Sequence, residues 1–421
     1  MKLAVSRVLL ILLLVAMLLL VSVVEAGTWS SPSMVTDPSL FGPSFSGSPS
    51  ISGDGSKIAF LTSVDNASEI FVINSDGTGL SQLTKYTEFD NAEYLGEPSI
   101  SDDGGKIAFQ YDDGGGYEIF VINSDGTELK QLTDFEFAPG SSDPSISDDG
   151  SKIAFFRIDF ETWNRGIFVI NSDGTGEKQL TENVDRDFSM SGDGNKIAFL
   201  SCSDEFDFQY FVINTDGTGL TKLTQNSNNY QDINNNANPP SAPSISDDGS
   251  KVAFEGYVGK DREIFVINSD GTGLRQLTDN TEDDWAPAIS GDGSRIAFQR
   301  TEYQEMTSNP KPIRPQVYVV NSDGTGLTQL TDDYERSFMF PSISDNGEKI
   351  VFWSFFWSGD PYSMADVEYE NGIALVSCLS GSEDENDAPP TVPAAIVVGS
   401  ILPLAVGVMV IFYLKKKPGK L

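Results

Sequence analysis

The sequence predicts an all-β protein: a seven-bladed β-propeller of four-stranded antiparallel blades, closed by an N-terminal strand. A motif recurs from Pro49, Pro98, Pro144, Asp187, Pro243, Pro287 and Pro341, at intervals of 49, 46, 43, 56, 44 and 54 residues, a period expected of propellers and solenoids. Within each copy the apolar runs are short and rich in β-branched and aromatic residues, as in Lys57-Ile-Ala-Phe60 and Ile70-Phe-Val-Ile73, which reads as strand. Asp-Gly turns join these runs at fixed places, and Asp-Gly accepts the positive φ of tight hairpins.

In chain order, Lys2 and Arg7 precede an uncharged run from Val8 to Val24, followed by Glu25 and Ala26. Residues 1–26 therefore read as a secretory signal peptide; an uncleaved anchor is the alternative, since such a run approaches the length that spans a bilayer. The propeller is expected over residues 27–380. Its clearest copy runs from Pro243-Ser-Ile-Ser through Asp247-Asp-Gly and Lys251-Val-Ala-Phe254 to Glu263-Ile-Phe-Val-Ile-Asn268, then Gln276-Leu-Thr278. Four strands are expected, the third apolar on both faces because neighbouring blades cover it. The copy at Pro341 lacks a Gln-Leu-Thr strand, and Ser33-Met-Val-Thr-Asp37 resembles it. Residues 34–36 are thus expected to complete the last blade, a closure that removes exposed edges.

Residues 381–393 (GSEDENDAPPTVP) are acidic and proline-containing, as expected of a stalk. Ala394 to Leu414 carries no charge and is long enough for a transmembrane helix. Lys415, Lys416 and Lys417 place the tail, residues 415–421, in the cytoplasm. A single-pass protein of the cell membrane follows, with its propeller on the extracytoplasmic side.

Composition excludes whole classes of function. No histidine is present, which removes Ser-His-Asp and Cys-His catalysis, His-ligated metals and the usual near-neutral general base. Acidic residues number 62 against 27 basic, and such a surface repels phosphate backbones, so nucleic acid is not an expected partner. Cys202 and Cys378 fall in copies expected to lie far apart, so a mutual bridge is not expected.

The copies resemble the TolB-type WD40-like (PD40) repeats. The resemblance covers residues 34–377 and rests on units such as Pro98-Ser-Ile-Ser-Asp-Asp-Gly104 and on the Asn-x-Asp-Gly turns at Asn74, Asn123, Asn171, Asn214, Asn268 and Asn321. Ile stands where that family has Trp, and Asp or Gly where it has its second Pro. The resemblance implies a propeller and leaves the function open, since repeats of this type occur in Tol-system proteins, peptidase accessory domains and lyases.

In an up-and-down blade the first and third turns lie at one end, so the Asp-Gly turns should crowd one acidic face. Carboxylates and Asn carbonyls are ligands suited to Ca²⁺, although no copy has the full Asp-x-Asp-x-Asp-Gly spacing. The opposite face carries the variable segments, where binding residues tend to sit. Ligand-binding candidates there are Trp163, Arg165, Trp285, Arg300, Tyr303, Trp353 and Trp357, because flat rings beside charged groups suit a saccharide or peptide. Packing between blades is the competing role for any one of these rings. Asn66 is a glycosylation candidate. The expected function is non-catalytic binding of a protein, peptide or polysaccharide ligand. Alternatives are a carboxylate-based carbohydrate-active enzyme, with Asp159, Glu161, Asp283 and Asp284 as candidate acids, or a calcium-linked structural component of the cell envelope.

Overall fold

The computed structural model describes residues 28–37, 48–64, 67–85, 96–112, 116–134, 140–159, 164–182, 184, 187–202, 208–224, 240–301, 314–333, 335–358 and 368–379. Among these residues there is no helix, and antiparallel four-stranded sheets, consistent with a propeller, make up the architecture. The expected signal peptide, stalk, transmembrane helix and tail lie outside the described residues. Among the described residues no helix is long and apolar enough to cross a membrane.

The copy beginning at Pro49 shows how the repeat folds. Ser50–Ile51, Lys57–Val64, Ala67–Asn74 and Ser81–Gln82 pair in chain order. The copies at Asp187, Pro243 and Pro287 form sheets of the same order. Those at Pro98 and Pro144 do so too, joined by one parallel bridge between Gly140 and Tyr117.

The last copy supplies three long strands, Arg336–Ile343, Lys349–Ser358 and Glu368–Leu379. Its fourth comes from the other end of the chain, where Ser33 and Met34 pair with Leu375 and Ala374. Ile373 N then donates to Thr36 Oγ1 at 2.9 Å. That bond repeats one made in other copies, where the Thr just after the outer strand accepts an amide within the third strand: Ile70 to Thr84, Ile119 to Thr133 and Ile264 to Thr278, each at 2.9 Å. A further strand, Thr28–Trp29, pairs with Leu379 and Cys378 and was not legible in the sequence.

Each apolar cluster is shared by two copies. Ala59, Ile70 and Val72 pack with Ile107, Phe109 and Ile122 of the following copy, whereas Ile58, Phe60 and Ile73 pack with Val351, Ile373 and Leu375 of the last. Alternation along the strand explains the division, since successive side chains point to opposite faces. Within a sheet, paired rings stack across the second and third strands: Phe60 on Phe71, Phe109 on Phe120 and Phe155 on Phe168, each with centroids 5.8 Å apart. In the last copy Ala374 stands opposite Phe352, and Phe338 fills the space edge-on at 5.6 Å.

Polar contacts tie one copy to the next. Lys57 Nζ donates to Gly104 O at 3.0 Å and Ser124 Oγ at 2.8 Å. Lys106, Lys152, Lys196, Lys251 and Arg295 reach the carbonyls of Gly150, Gly194, Gly249, Gly293 and Gly347 in the same way. Lys349 reaches back to Gly55 O at 2.9 Å and Ser75 Oγ at 3.0 Å.

The first and third turns of a copy share one end of its sheet, as Ser75 N donates to Ser56 O at 2.8 Å. This is the turn face; the links between second and third strands lie on the opposite loop face. Asp carboxylates hold the turns themselves. Asp54 Oδ1 accepts Ser56 N at 2.8 Å, and Asp76 Oδ1 accepts Thr78 N at 2.9 Å and Thr78 Oγ1 at 2.6 Å. Cys378 is a free, half-buried thiol.

The third turn needs a left-handed residue at its sixth position. Gly79 has φ 69°, but in the next copy Glu128 takes that place with φ 56°. A side chain there costs about 1–2 kcal/mol, partly offset by the greater freedom glycine has in the unfolded chain. Glu128→Gly is therefore expected to stabilise the fold by about 0.5–1 kcal/mol, read as a higher urea midpoint at unchanged m. An unchanged or lower midpoint would show that the turn carries no strain at Glu128.

Candidate functional site

On the loop face, the copies at Pro243 and Pro287 bring together two buried carboxylates, each paired with a guanidinium. Asp284, fully buried, accepts Arg300 Nε at 2.6 Å and Arg300 Nη2 at 2.7 Å, and Asn280 Nδ2 at 2.9 Å. The guanidinium of Arg300 also lies 4.5 Å above the Tyr318 ring. Burial opposes its charge, but the bonds it donates to Asp284 and the charge of that carboxylate outweigh burial and hold its pKa above the ordinary value.

A second pair lies beside the first. Glu255, also buried, accepts Arg262 Nη1 at 3.1 Å, Ser241 N at 3.0 Å, Ser241 Oγ at 2.7 Å and Ala286 N at 3.1 Å. Ala286 sits in a bulge with φ 51°, and Glu255 caps its amide much as Gln110 caps Asp143 N at 3.2 Å in the bulge of another copy. Arg262 Nε donates to Tyr257 OH at 3.0 Å, and Arg262 N to Asp283 Oδ1 at 2.9 Å. Glu263 is pushed up to about 7, first by burial; bonds from Thr278 and Asn280 pull it down, and the charge of Asp284 adds to the rise. Both of its oxygens are engaged by Asn280, at 2.7 Å from N and 3.1 Å from Nδ2.

The sequence candidates divide among several settings. Trp285 is half-buried, its Nε1 donating to Thr301 Oγ1 at 3.0 Å, and it neighbours Asp284 and Arg300. Arg165 is exposed at the start of a third strand. Trp353 is 6% exposed and packs with Ile51, Ile58 and Phe60, so its ring is core rather than ligand surface. Trp163, Tyr303, Asn66 and Glu161 lie outside the described residues, as do the side chains of Trp357 and Asp159. Sequence reasoning missed Glu255, Arg262 and Glu263 as a cluster. The available signal was a single charge, Glu255, where the first copy has Leu61.

A second polar feature lies where the first turns meet. Backbone bonds run from turn to turn: Asp54 N to Asp102 O, Asp102 N to Asp148 O, Asp148 N to Gly192 O, Asp193 N to Asp247 O, Asp247 N to Gly291 O and Asp292 N to Asp345 O. Asp345 N then donates to Gly53 O at 3.0 Å. Asp102, Asp148, Asp247 and Asp345 bring their carboxylates together there, and a Cβ on Gly53, Gly192 or Gly291 would overlap one of them. Burial first, then the charges of Asp247 and Asp102, push Asp148 up to about 7. Burial raises Asp247 and Asp345 as well, and the charge of Asp247 adds to the rise at Asp345.

Among the described residues no group of three or more acidic or cysteine side chains is arranged to hold a metal ion. The turn carboxylates considered for Ca²⁺ accept bonds from their own turns, as Asp125, Asp173, Asp216, Asp270 and Asp323 do from the Thr two residues on.

Residues 41–232 match the family model described as PD40, TolB beta propeller domain. The match marks the repeats as similar to that family over less than half of the chain. No curated protein matches it. Among solved structures this propeller is similar to an oligogalacturonate lyase from Vibrio parahaemolyticus, at 15% identity and TM-score 0.57, over 83% of this chain and 98% of that one. It is also similar to a puromycin-hydrolyzing peptidase from Mycobacterium tuberculosis, at 15% identity and TM-score 0.55, over 82% of this chain and 56% of that one. At such identities the likeness is one of fold.

The carboxylates gathered where the first turns meet give the propeller a defined pH dependence. Asp148, Asp247 and Asp345 have folded pKa values above the ordinary 3.8, so between those limits the native state binds more protons than the unfolded chain. Stability contributed by these groups is then full at acidic pH and is lost as pH rises through their folded values. The urea midpoint is expected to fall from pH 5 to pH 8, and Asp345→Asn should flatten that fall and raise the midpoint at pH 8. A midpoint that rises over the same range in the parent chain would contradict this assignment.

Proposed function

We propose that the chain is a non-catalytic propeller of seven blades, anchored in the cell membrane by residues 394–414. In this reading it binds a protein, peptide or polysaccharide through its loop face. The bond from Asp345 back to Gly53 and the cluster shared by the first and last copies support seven blades in a closed ring. The sequence of residues 1–26 and 394–417 supports an extracytoplasmic propeller beside a bilayer.

The observation that carries the binding role is the setting of Trp285. Its indole nitrogen is held by Thr301, and the buried Asp284–Arg300 and Glu255–Arg262 pairs fix the strands on either side. A flat ring with few rotamers left to lose is the kind of anchor that stacks on a sugar or an aromatic side chain.

One observation favours the enzyme reading, namely that Glu263 titrates near neutrality beside Asp284. Glu263 is buried, however, with both oxygens bonded to Asn280, and Asp284 is held by Arg300. General acid–base work needs a carboxyl within hydrogen-bond reach of the substrate, and these bonds favour a structural part for both acids. The likeness to an oligogalacturonate lyase brings an acidic sugar into the set of ligands to try.

The test is a panel of neutral and acidic glycans and of peptides, screened by thermal unfolding of the detergent-solubilised full chain. A ligand of the native state raises the midpoint. Trp285→Ala should weaken the responding ligand about tenfold, the value of one well-placed aromatic contact. Turnover of any glycan, or binding unaffected by Trp285→Ala, would overturn this assignment.

A further inference from the structure

Where the described chain begins and ends bears on which face meets the membrane. Thr28 and Leu379 are antiparallel partners at the outer edge of the last sheet, so their Cα atoms lie roughly 5 Å apart. Leu379 stands at the turn face, since Cys378 N donates to Glu348 O of the neighbouring first turn, as Ser75 N does to Ser56 O in the first copy. The two ends of the described residues, Thr28 and Leu379, therefore lie together at one corner of one face. Residues 381–393 can reach about 40 Å at most.

The same face bears most of the large apolar side chains exposed among the described residues. Leu80, Leu129, Leu220, Leu274 and Leu327 follow the third turn in five copies and are 40–61% exposed. In the copy at Pro144 that position is Glu177, which pairs with Arg157 at 2.8 Å. Leucines set singly on a surface are ordinary, but these recur at one turn position and rim the face from which the chain departs.

Building on the anchored reading above, we propose that the turn face, with its rim of five leucines, is the face laid against the lipid bilayer. The loop face then points away from it. The bilayer surface that fits is zwitterionic. Asp76, Asp125, Asp173, Asp216, Asp270 and Asp323 are exposed on this face and are held below the ordinary carboxylate range, first by the hydroxyl of the Thr two residues on. They stay charged and would repel anionic headgroups.

The test uses the full chain in phosphatidylcholine vesicles, with Cys202→Ser and Cys378→Ser as background and one donor dye per variant. Leu220→Cys carries the dye on the turn face and Lys260→Cys on the loop face, with the acceptor on lipid headgroups. An eight-residue strand such as Lys57–Val64 separates the faces, about 26 Å at 3.3 Å per residue. Energy transfer from Leu220→Cys is expected to exceed that from Lys260→Cys severalfold. Adding Leu129→Ser, Leu274→Ser and Leu327→Ser should lower it. Chain that floats with vesicles but transfers equally from both positions, or more from Lys260→Cys, overturns the orientation and leaves the anchor standing. Unchanged transfer in the leucine variant overturns the leucine contact. Chain that does not float overturns the anchored reading, and this one with it.

Discussion

A basic side chain that reaches from each copy into the first turn of the next is the contact on which the rest of the structure depends. Lys57, Lys106, Lys152, Lys196, Lys251, Arg295 and Lys349 each donate to a glycine carbonyl of the following copy. A hydrogen bond from a charged donor is worth roughly 1.5–3 kcal/mol, and here it spans joints that carry no strand pairing except between the copies at Pro98 and Pro144. Apolar clusters shared between the same neighbours add the area term. Each sheet alone would expose a face of isoleucine and phenylalanine, so the copies are stable together rather than singly.

That arrangement sets the electrostatics of the molecule. Joining the first turns through backbone bonds draws Asp102, Asp148, Asp247 and Asp345 into mutual range, and burial first, then the charges of their counterparts, raise Asp148, Asp247 and Asp345. Glycine at the equivalent position of the other copies leaves room for these carboxylates. The second acid of the same turn has the opposite fate: Asp54 and Asp149 each accept a backbone amide two residues on and lie below the ordinary range. Adjacent aspartates in one motif thus differ because one faces its own turn and the other faces its counterparts.

The loop face follows another rule. Strand ends at Glu255, Arg262, Asp284 and Arg300 carry charge, and each charge is matched across a short bond with extra donors on the remaining oxygens, which is what buried charge requires. Leaving any one of them alone would cost more than the pair contributes. The outcome is a firm rim around Trp285 in an otherwise variable surface.

The sequence by itself determined the strand pattern, the turn positions and the apolar faces, because these rest on alternation and on Asp-Gly chemistry within a few residues. It also pointed to residues 34–36 as completing the last blade, since Ser33-Met-Val-Thr36 resembles the Gln-Leu-Thr strand of the other copies. Tertiary structure alone decided which polar residues meet. Arg300 was legible as a candidate but not its bond to Asp284, sixteen residues away. Trp353, a ligand-binding candidate with packing between blades as the competing role, lies in the core, because the last copy folds against the first across nearly the whole length of the chain. The sequence placed the Asp-Gly turns on one acidic face but not which aspartates meet there, because their neighbours are other copies of the same turn, brought together only when the chain meets its own beginning.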